Sequence, residues 1–164
     1  MFEETSPIWH YMSPEQQSLA RDGKLLIADH LQHPNEKIGD YSYLVFPFSK
    51  LYEGFLKQLF RDLKIISEND YRSDHYRIGR SLSPNLVNRL GENSAYGEVE
   101  RRYGKELADR LWYAWKEGRN LVFHYFPHNF RALDFKSAEG LIHLIYSAME
   151  DAIEKTKVIG HHVR

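Results

Sequence analysis

The chain contains no cysteine, which excludes disulfide bonds, thiolate nucleophiles and cysteine-ligated zinc or iron–sulfur sites. A chain that uses no disulfide suits a reducing compartment, so we expect a cytoplasmic protein. An excess of charge of either sign is also missing, because 22 Lys and Arg face 23 Asp and Glu. The overall charge therefore does not indicate a nucleic-acid-binding protein, although it leaves room for a local basic site.

Long apolar runs are absent as well. The run from Leu44 to Phe48 is far shorter than the ~20 apolar residues that cross a bilayer. The first residues are acidic and lack the basic and apolar regions of a signal peptide. We therefore expect a soluble protein with no membrane partner.

What the sequence does contain is enough apolar material for one globular core. Of its 164 residues, 42% are hydrophobic and 27% are charged, which is close to the globular average. A chain of this length fits one domain of ordinary size. We predict a single domain over residues 1–164, with its core at about 13–157 and a frayed tail at 158–164.

Apolar residues recur at three- and four-residue spacing through most of the chain, which predicts an all-α fold. Ser13 followed by Pro14 is a helix-start signal, and the pattern stops near Gln32. The sequence shows no hairpin signal and no alternation of strands with helices, so we predict a bundle of four to five helices. The predicted helices span residues 14–32, 43–66, 84–89, 98–117 and 137–157.

Several segments depart from a simple helical pattern. Pro47 requires the second helix to start or kink near it, and Tyr41–Phe46 could instead form a short strand. Residues 67–83 are polar and aperiodic, which predicts a long surface loop. Ser83–Pro84 and Ser137 are read as caps of the helices that follow them, and Gly118 as a stop or kink.

Arg119 and His124 are the residues most able to carry chemistry. A histidine can take a proton from a ribose 2′-hydroxyl, and a guanidinium can stabilise charge that gathers on the phosphate. Such a pair would cleave RNA but not DNA, leave a 2′,3′-cyclic phosphate, and need no metal or other cofactor. The spacing is common by chance, however, and the alternative is that Arg119 extends from a helix end while His124 packs in a turn.

The stretch GRNLVFHYFPHNFRALDFKSAEGLIHLIYSAMEDAIE resembles the C-terminal half of HEPN domains. These domains are helical bundles whose signature is an Arg, usually a polar residue next, and a His after an interval of four to six residues. Arg119, Asn120 and His124 match it, and the resemblance extends over about residues 43–154. It implies a HEPN-like bundle and a metal-independent endoribonuclease that dimerises to form a composite active site. It also implies a role as a toxin of a toxin–antitoxin pair or in phage defence.

Within this superfamily, the segment FPFSKLYEGFLKQLF is similar to an early helix of the RnlA (RNase LS) toxin family. In that family an Arg and a Glu three positions apart join the Arg and His of the signature, and the matching residues here are Lys50 and Glu53. Lys50 keeps the positive charge but lacks the bidentate fork of an arginine. Glu53 is expected to orient the Arg119 guanidinium or the His124 ring, and the alternative is an ordinary surface ion pair between Lys50 and Glu53.

The resemblance also bears on how the protein is controlled. In HEPN toxins paired with nucleotidyltransferases, a Tyr two positions after the His is modified to silence the toxin. Phe126 occupies that position here, and Tyr125 is out of register. A protein antitoxin that covers the cleft is therefore the expected inhibitor.

Three further residues are candidate RNA contacts. His128 follows Pro127 close to the signature, and Arg72 and Arg77 lie in a stretch rich in tyrosine and histidine. Basic and aromatic side chains together can bind single-stranded RNA by charge and stacking. An exposed loop with ordinary ion pairs explains Arg72 and Arg77 equally well, and a solvated loop position is the favoured alternative for His128.

The pair His161/His162 has no carboxylate at metal-ligand spacing, and the pair His30/His33 at a helix end is little better suited, so we expect no metal site. Two other functions stay open. One is a catalytically silent HEPN-like module that binds RNA or a nucleotide in a defence assembly, which the Lys50 departure and the balanced charge favour. The other is a helical interaction domain in which Arg119 and His124 only pack.

Overall fold

A computed structural model of the chain describes residues 2–33 and 37–158, and all regular structure within these ranges is helical. The all-α prediction is confirmed, but the described ranges contain more helices than the four to five expected. They are α1 (Pro7–Tyr11), α2 (Pro14–Gln32), α3 (Ser42–Asp62), α4 (Glu68–Arg72), α5 (Ile78–Ser81), α6 (Val87–Leu90), α7 (Ala95–Tyr103), α8 (Lys105–Trp115) and α9 (Phe135–Thr156). No helix in these ranges is both long and apolar enough to cross a bilayer.

Helix α3 is the centre of the fold. It packs against α2, α8 and α9, and its apolar residues on the inner face are buried. The hydroxyl of Tyr52 donates a hydrogen bond to the backbone carbonyl of Leu111 in α8 at 3.0 Å. On the opposite face of α3, Phe46 and Lys50 are exposed, whereas Glu53 and Lys57 are half-buried.

The start of α3 corrects the expectation of a strand at Tyr41–Phe46. The helix begins at Ser42, five residues before Pro47, and continues through it. The Asp40 carboxylate accepts a hydrogen bond from the Ser42 backbone N–H at 2.9 Å, which satisfies a donor that the first turn leaves open. Of the apolar side chains that suggested a strand, Leu44 and Val45 are buried in the core, whereas Tyr43 and Phe46 are exposed.

The segment 67–83, expected to be a long loop, contains α4 and α5. Ser67 and Asp70 form a reciprocal cap of α4, in which each side chain accepts a hydrogen bond from the other residue's backbone N–H. Ile78 and Leu82 are buried in the core. The C-terminal end of the segment is therefore packed into the domain, whereas α4 has no buried residue.

The helix predicted over 98–117 is two helices. Gly104 separates α7 from α8 with φ +93°, a conformation that is strained for residues with a Cβ. After α8 the chain continues as a π-helical turn at Lys116–Asn120. The kink expected at Gly118 is this turn.

Other helix ends are partly as predicted. Helix α2 has the expected bounds and its Ser13 cap. Helix α9 is capped by Asp134 rather than Ser137, because the Asp134 carboxylate accepts a hydrogen bond from the Ser137 N–H at 2.7 Å. The cap predicted at Ser83 makes no side-chain bond, and a 3₁₀ turn precedes α6. We expected a frayed tail at 158–164. Val158 instead packs against the core, and residues 159–164 lie outside the described part of the chain.

Gly79 is expected to be intolerant of even one extra methyl group. A Cβ at this position would lie 2.0 Å from Cη2 of Trp115, whereas a Cβ at Gly140 in α9 meets nothing within 4 Å. Gly79→Ala should therefore lower the free energy of unfolding by about 1–3 kcal/mol, and the control Gly140→Ala should raise it by up to about 1 kcal/mol. Urea unfolding of both variants measures this, and a Gly79→Ala variant as stable as the parent would contradict the packing.

Candidate functional site

Arg119 is presented by the π-helical turn that follows α8. Such turns add a residue to a helix and are frequent at functional sites. Gly118 lies so close to α9 that a Cβ there would be 2.8 Å from Cγ1 of Ile145. On the other side of the turn, the buried Ser49 hydroxyl of α3 donates a hydrogen bond to the Gly118 carbonyl. The turn is thus fixed between α3 and α9.

The Arg119 guanidinium is held by Glu53 of α3. Nε of Arg119 donates to Oε2 of Glu53 at 2.9 Å, and the two side chains are 39% and 33% exposed. Nη1 and Nη2 of Arg119 make no hydrogen bond to any residue that the structure describes. One ion pair therefore orients the guanidinium, while its two terminal nitrogens stay available to a ligand.

Arg119 lines a cavity of about 570 Å³ between α3 and the turn. Its lining residues, which define what we call the Arg119 cavity, are Phe46, Ser49, Lys50, Glu53, Gly54, Lys57, Arg119 and Phe123. Lys50 has no ion pair within the described ranges, and Nζ of Lys57 donates to the Ser73 carbonyl at 3.3 Å. With the cations Lys50, Lys57 and Arg119 against the carboxylate of Glu53, the cavity favours an anionic ligand.

His124 lies one turn beyond Arg119 and is exposed. Its Nε2 is 3.3 Å from Oδ1 of Asn120. A hydrogen bond from Nε2 to this acceptor would leave Nδ1 as the nitrogen that can accept a proton. His124 does not line the Arg119 cavity. The structure thus places Arg119, Glu53 and Lys50 together, with the Asn120–His124 pair beside them.

The segment after His124 is tied to the start of α3 by Asp40. Its carboxylate accepts hydrogen bonds from Nδ2 of Asn129 at 3.1 Å and from the Leu133 N–H at 3.2 Å, in addition to that from Ser42. Burial pushes the pKa of Asp40 upward, but these hydrogen bonds outweigh it and hold the pKa below its usual value. Asp40 therefore fixes both the beginning of α3 and the loop that follows the candidate site.

Asp40→Ala is expected to lower the free energy of unfolding by about 1–2 kcal/mol at neutral pH, because several hydrogen bonds lose their acceptor. Since the folded-state pKa of Asp40 is lowered, its contribution is present above the unfolded pKa of about 3.9 and is lost as pH falls through the folded value. The stability difference between parent and variant should be constant from pH 7 to 5 and shrink below about pH 4. Urea unfolding across this range tests the assignment, which a difference that grows at low pH would contradict.

The other predicted RNA contacts lie outside the Arg119 cavity. His128 is exposed on a turn with φ +58°. Arg72 is paired with Glu68 at 2.8 Å, and Arg77 donates to a backbone carbonyl of its own segment. Arg77 and Arg80 line a different cavity of about 300 Å³. The structure does not bring these residues together with Arg119.

Sequence reasoning missed five residues of the Arg119 cavity, namely Phe46, Ser49, Gly54, Lys57 and Phe123. The signal for two of them was present, because Phe46, Lys50, Glu53 and Lys57 follow one another at steps of four, three and four. Residues at this spacing share one face of a helix. Ser49 and Phe123 had no such signal, since their places depend on how the π-helical turn packs on α3.

No group of three or more His, Asp or Glu residues in the described ranges is arranged to hold a metal ion. His30 packs against the rings of Tyr41 and Phe135, while His161 and His162 are outside the described residues. The charged side chains gathered at the site are the Arg119 guanidinium with its Glu53 partner and the two lysines. Comparisons of the chain with protein-family models, curated proteins and solved structures find no match.

Proposed function

We propose that this chain is a HEPN-like, metal-independent endoribonuclease that cleaves RNA through attack by the ribose 2′-hydroxyl. The observation that carries the proposal is the state of Arg119. Its guanidinium is oriented by Glu53 at 2.9 Å, with both terminal nitrogens unbonded within the described ranges, beside a cavity that holds two further cations. This is the arrangement that stabilises negative charge on a phosphate in a transition state.

In the proposed reaction the 2′-oxygen forms a bond to the adjacent phosphorus, and the bond between phosphorus and the 5′-oxygen breaks. The 2′-hydroxyl proton passes to Nδ1 of His124, and the departing 5′-oxygen gains a proton from solvent. The products are a 2′,3′-cyclic phosphate and a free 5′-hydroxyl. No outside nucleophile takes part, because the attacking group belongs to the RNA.

The remaining side chains have supporting roles in this scheme. Glu53 positions the Arg119 guanidinium, and Asn120 fixes the tautomer of His124 through its 3.3 Å contact. Lys50 and Lys57 add positive charge that attracts the RNA backbone. Because Lys50 has a single ammonium group where the similar toxins have an arginine, it acts as a charge and not as a bidentate ligand.

The proposal includes the assembly that the HEPN resemblance implies. His124 is exposed and stands outside the cavity of its own chain, which favours a homodimer in which two copies complete a composite active site. We propose RNA as substrate, a protein antitoxin as inhibitor, and a role in a toxin–antitoxin or phage-defence system. Sedimentation of the purified chain tests the dimer.

The requirement for a 2′-hydroxyl provides the most specific test of the reaction. An RNA oligonucleotide is first cleaved to map its sites, and a second one carries a 2′-deoxyribose immediately before one of them. We expect cleavage to vanish at that site and to continue at the others, because only that linkage has lost its nucleophile. Cleavage at the 2′-deoxy position, or of a matching DNA, would rule the mechanism out.

A catalytically silent module that binds RNA or a nucleotide is the second candidate. Lys50 in the place of an arginine favours it, because an ammonium group lacks the bidentate fork of a guanidinium. This candidate predicts salt-dependent RNA binding without cleavage. It also predicts that His124→Ala leaves the effect of the chain on cell growth unchanged, whereas the ribonuclease predicts that toxicity disappears.

A further inference from the structure

Two phenylalanines form one wall of the Arg119 cavity. Phe46 of α3 and Phe123 beyond the π-helical turn contact each other edge to face, with ring centroids 5.7 Å apart and planes at 85°. They are 53% and 38% exposed, although both rings would gain free energy from burial. The fold has ample buried aromatic residues elsewhere, so these two rings contribute little to the core.

The two rings lie next to the cations of the cavity, and this arrangement indicates the kind of ligand that fits. Phe46 precedes Lys50 by one helical turn, and Phe123 follows Arg119 by four residues. The cavity is thus aromatic at one end and cationic along its length, which extends about 16 Å from Phe46 to Lys57 at 1.5 Å per helical residue. A ligand that matches both parts carries a phosphate and, next to it, a flat aromatic ring that can stack.

We propose that Phe46 and Phe123 form a nucleobase subsite, in which an unpaired base of the RNA stacks while its phosphate is bound by Arg119 and Lys50. The inference rests on the proposed function and specifies its substrate as single-stranded RNA. A base within a duplex is already stacked on its neighbours and is not free to enter the subsite. The two rings are nearly perpendicular. A base that stacks on one ring is therefore also nearly perpendicular to the other ring and can contact it edge to face.

The test measures binding of fluorescent 12-nucleotide RNA by anisotropy in the His124→Ala background, so that no cleavage interferes. Phe46→Ala should weaken binding of single-stranded RNA by about 5- to 100-fold, Phe46→Trp should retain it, and Phe46→Leu should not. The matched control is Tyr113→Ala, since Tyr113 is 52% exposed but lies on α8, outside this cavity. With Phe46 present, the protein should bind single-stranded RNA more tightly than the duplex of the same sequence, and Phe46→Ala should reduce this difference in affinity.

Salt dependence separates the subsite from the phosphate site. Phe46→Ala and Phe123→Ala should leave the slope of log K against log salt unchanged, whereas Arg119→Ala should reduce it by about one. Phenylalanine variants that bind like the parent, or a Phe46→Leu variant that binds fully, would overturn the subsite alone. If the phenylalanine variants sediment differently from the parent but bind RNA equally well, the rings belong to an interface between copies. A parent protein that binds no RNA would overturn the proposed function as well.

Discussion

His124→Ala is expected to lower the rate of RNA cleavage by about 10²- to 10⁴-fold, which is the usual contribution of a positioned general base. In the proposed reaction Nδ1 of His124 accepts the 2′-hydroxyl proton, and alanine offers no acceptor in its place. The ring is exposed and contacts Asn120 within its own turn, so its removal should leave the fold unchanged. Single-turnover cleavage with excess enzyme measures the chemical step directly.

His143→Ala is the matched control for this variant. His143 is also exposed, lies on α9, and does not line the Arg119 cavity, so its replacement should leave the rate within about twofold of the parent. Asn120→Ala should lower the rate less than His124→Ala does, because the ring would lose its orientation but keep its basic nitrogen. Full activity in a folded His124→Ala variant would show that the base lies elsewhere.

Arg119→Ala is expected to lower cleavage by about 10²- to 10³-fold, in the range observed when one transition-state donor is removed. Arg119→Lys should stay at least about tenfold below the parent, since one ammonium group cannot both pair with Glu53 and present a fork to the phosphate. Glu53→Gln should lower the rate less than Arg119→Ala, because it weakens the orientation of the guanidinium and leaves the guanidinium itself in place. Cleavage rates of the three variants, measured under one condition, give this order.

Arg110→Ala provides the control for the loss of an arginine. Arg110 and Arg119 are equally exposed at 39%, and Arg110 is likewise paired with a carboxylate, that of Asp151, at 3.1 Å. Arg110 does not line the Arg119 cavity, so its removal should cost some stability without lowering the cleavage rate. An equal loss of activity in both variants would indicate a general effect of charge or stability rather than a site at Arg119.

Much of the helical fold could be predicted from local patterns. The Ser13–Pro14 signal and the spacing of apolar residues located α2 and the body of α3, since both signals act within one or two turns. The break at Gly104 was not predictable in this way, because a glycine inside a helix costs only about 1 kcal/mol and gives no sign of its φ. The buried positions of Ile78 and Leu82 depend on distant helices, and so the segment looked like a loop.

In the candidate site, too, some features could be predicted from the sequence and others depend on packing between distant segments. The contact expected between Glu53 and Arg119 is present at 2.9 Å, and its prediction needed a family resemblance because 66 residues separate the pair. Lys50 also came from the family resemblance, whereas Phe46 and Lys57 were missed although their spacing places them on the same face of α3. The position of His124 outside the cavity could not be foreseen, since it depends on the π-helical turn, which arises from the packing of Gly118 between Ser49 and Ile145.

Analysis of the product ends of RNA cleavage is the most direct test of the central claim. Purified chain is incubated with mixed-sequence RNA in the presence of EDTA, and the new ends are identified by mass spectrometry. The proposed reaction predicts cleavage that resists EDTA and leaves 2′,3′-cyclic phosphates with free 5′-hydroxyls, and these products should be absent with His124→Ala. Uncut RNA with a folded parent protein, or fragments that carry 5′-phosphates, would contradict it.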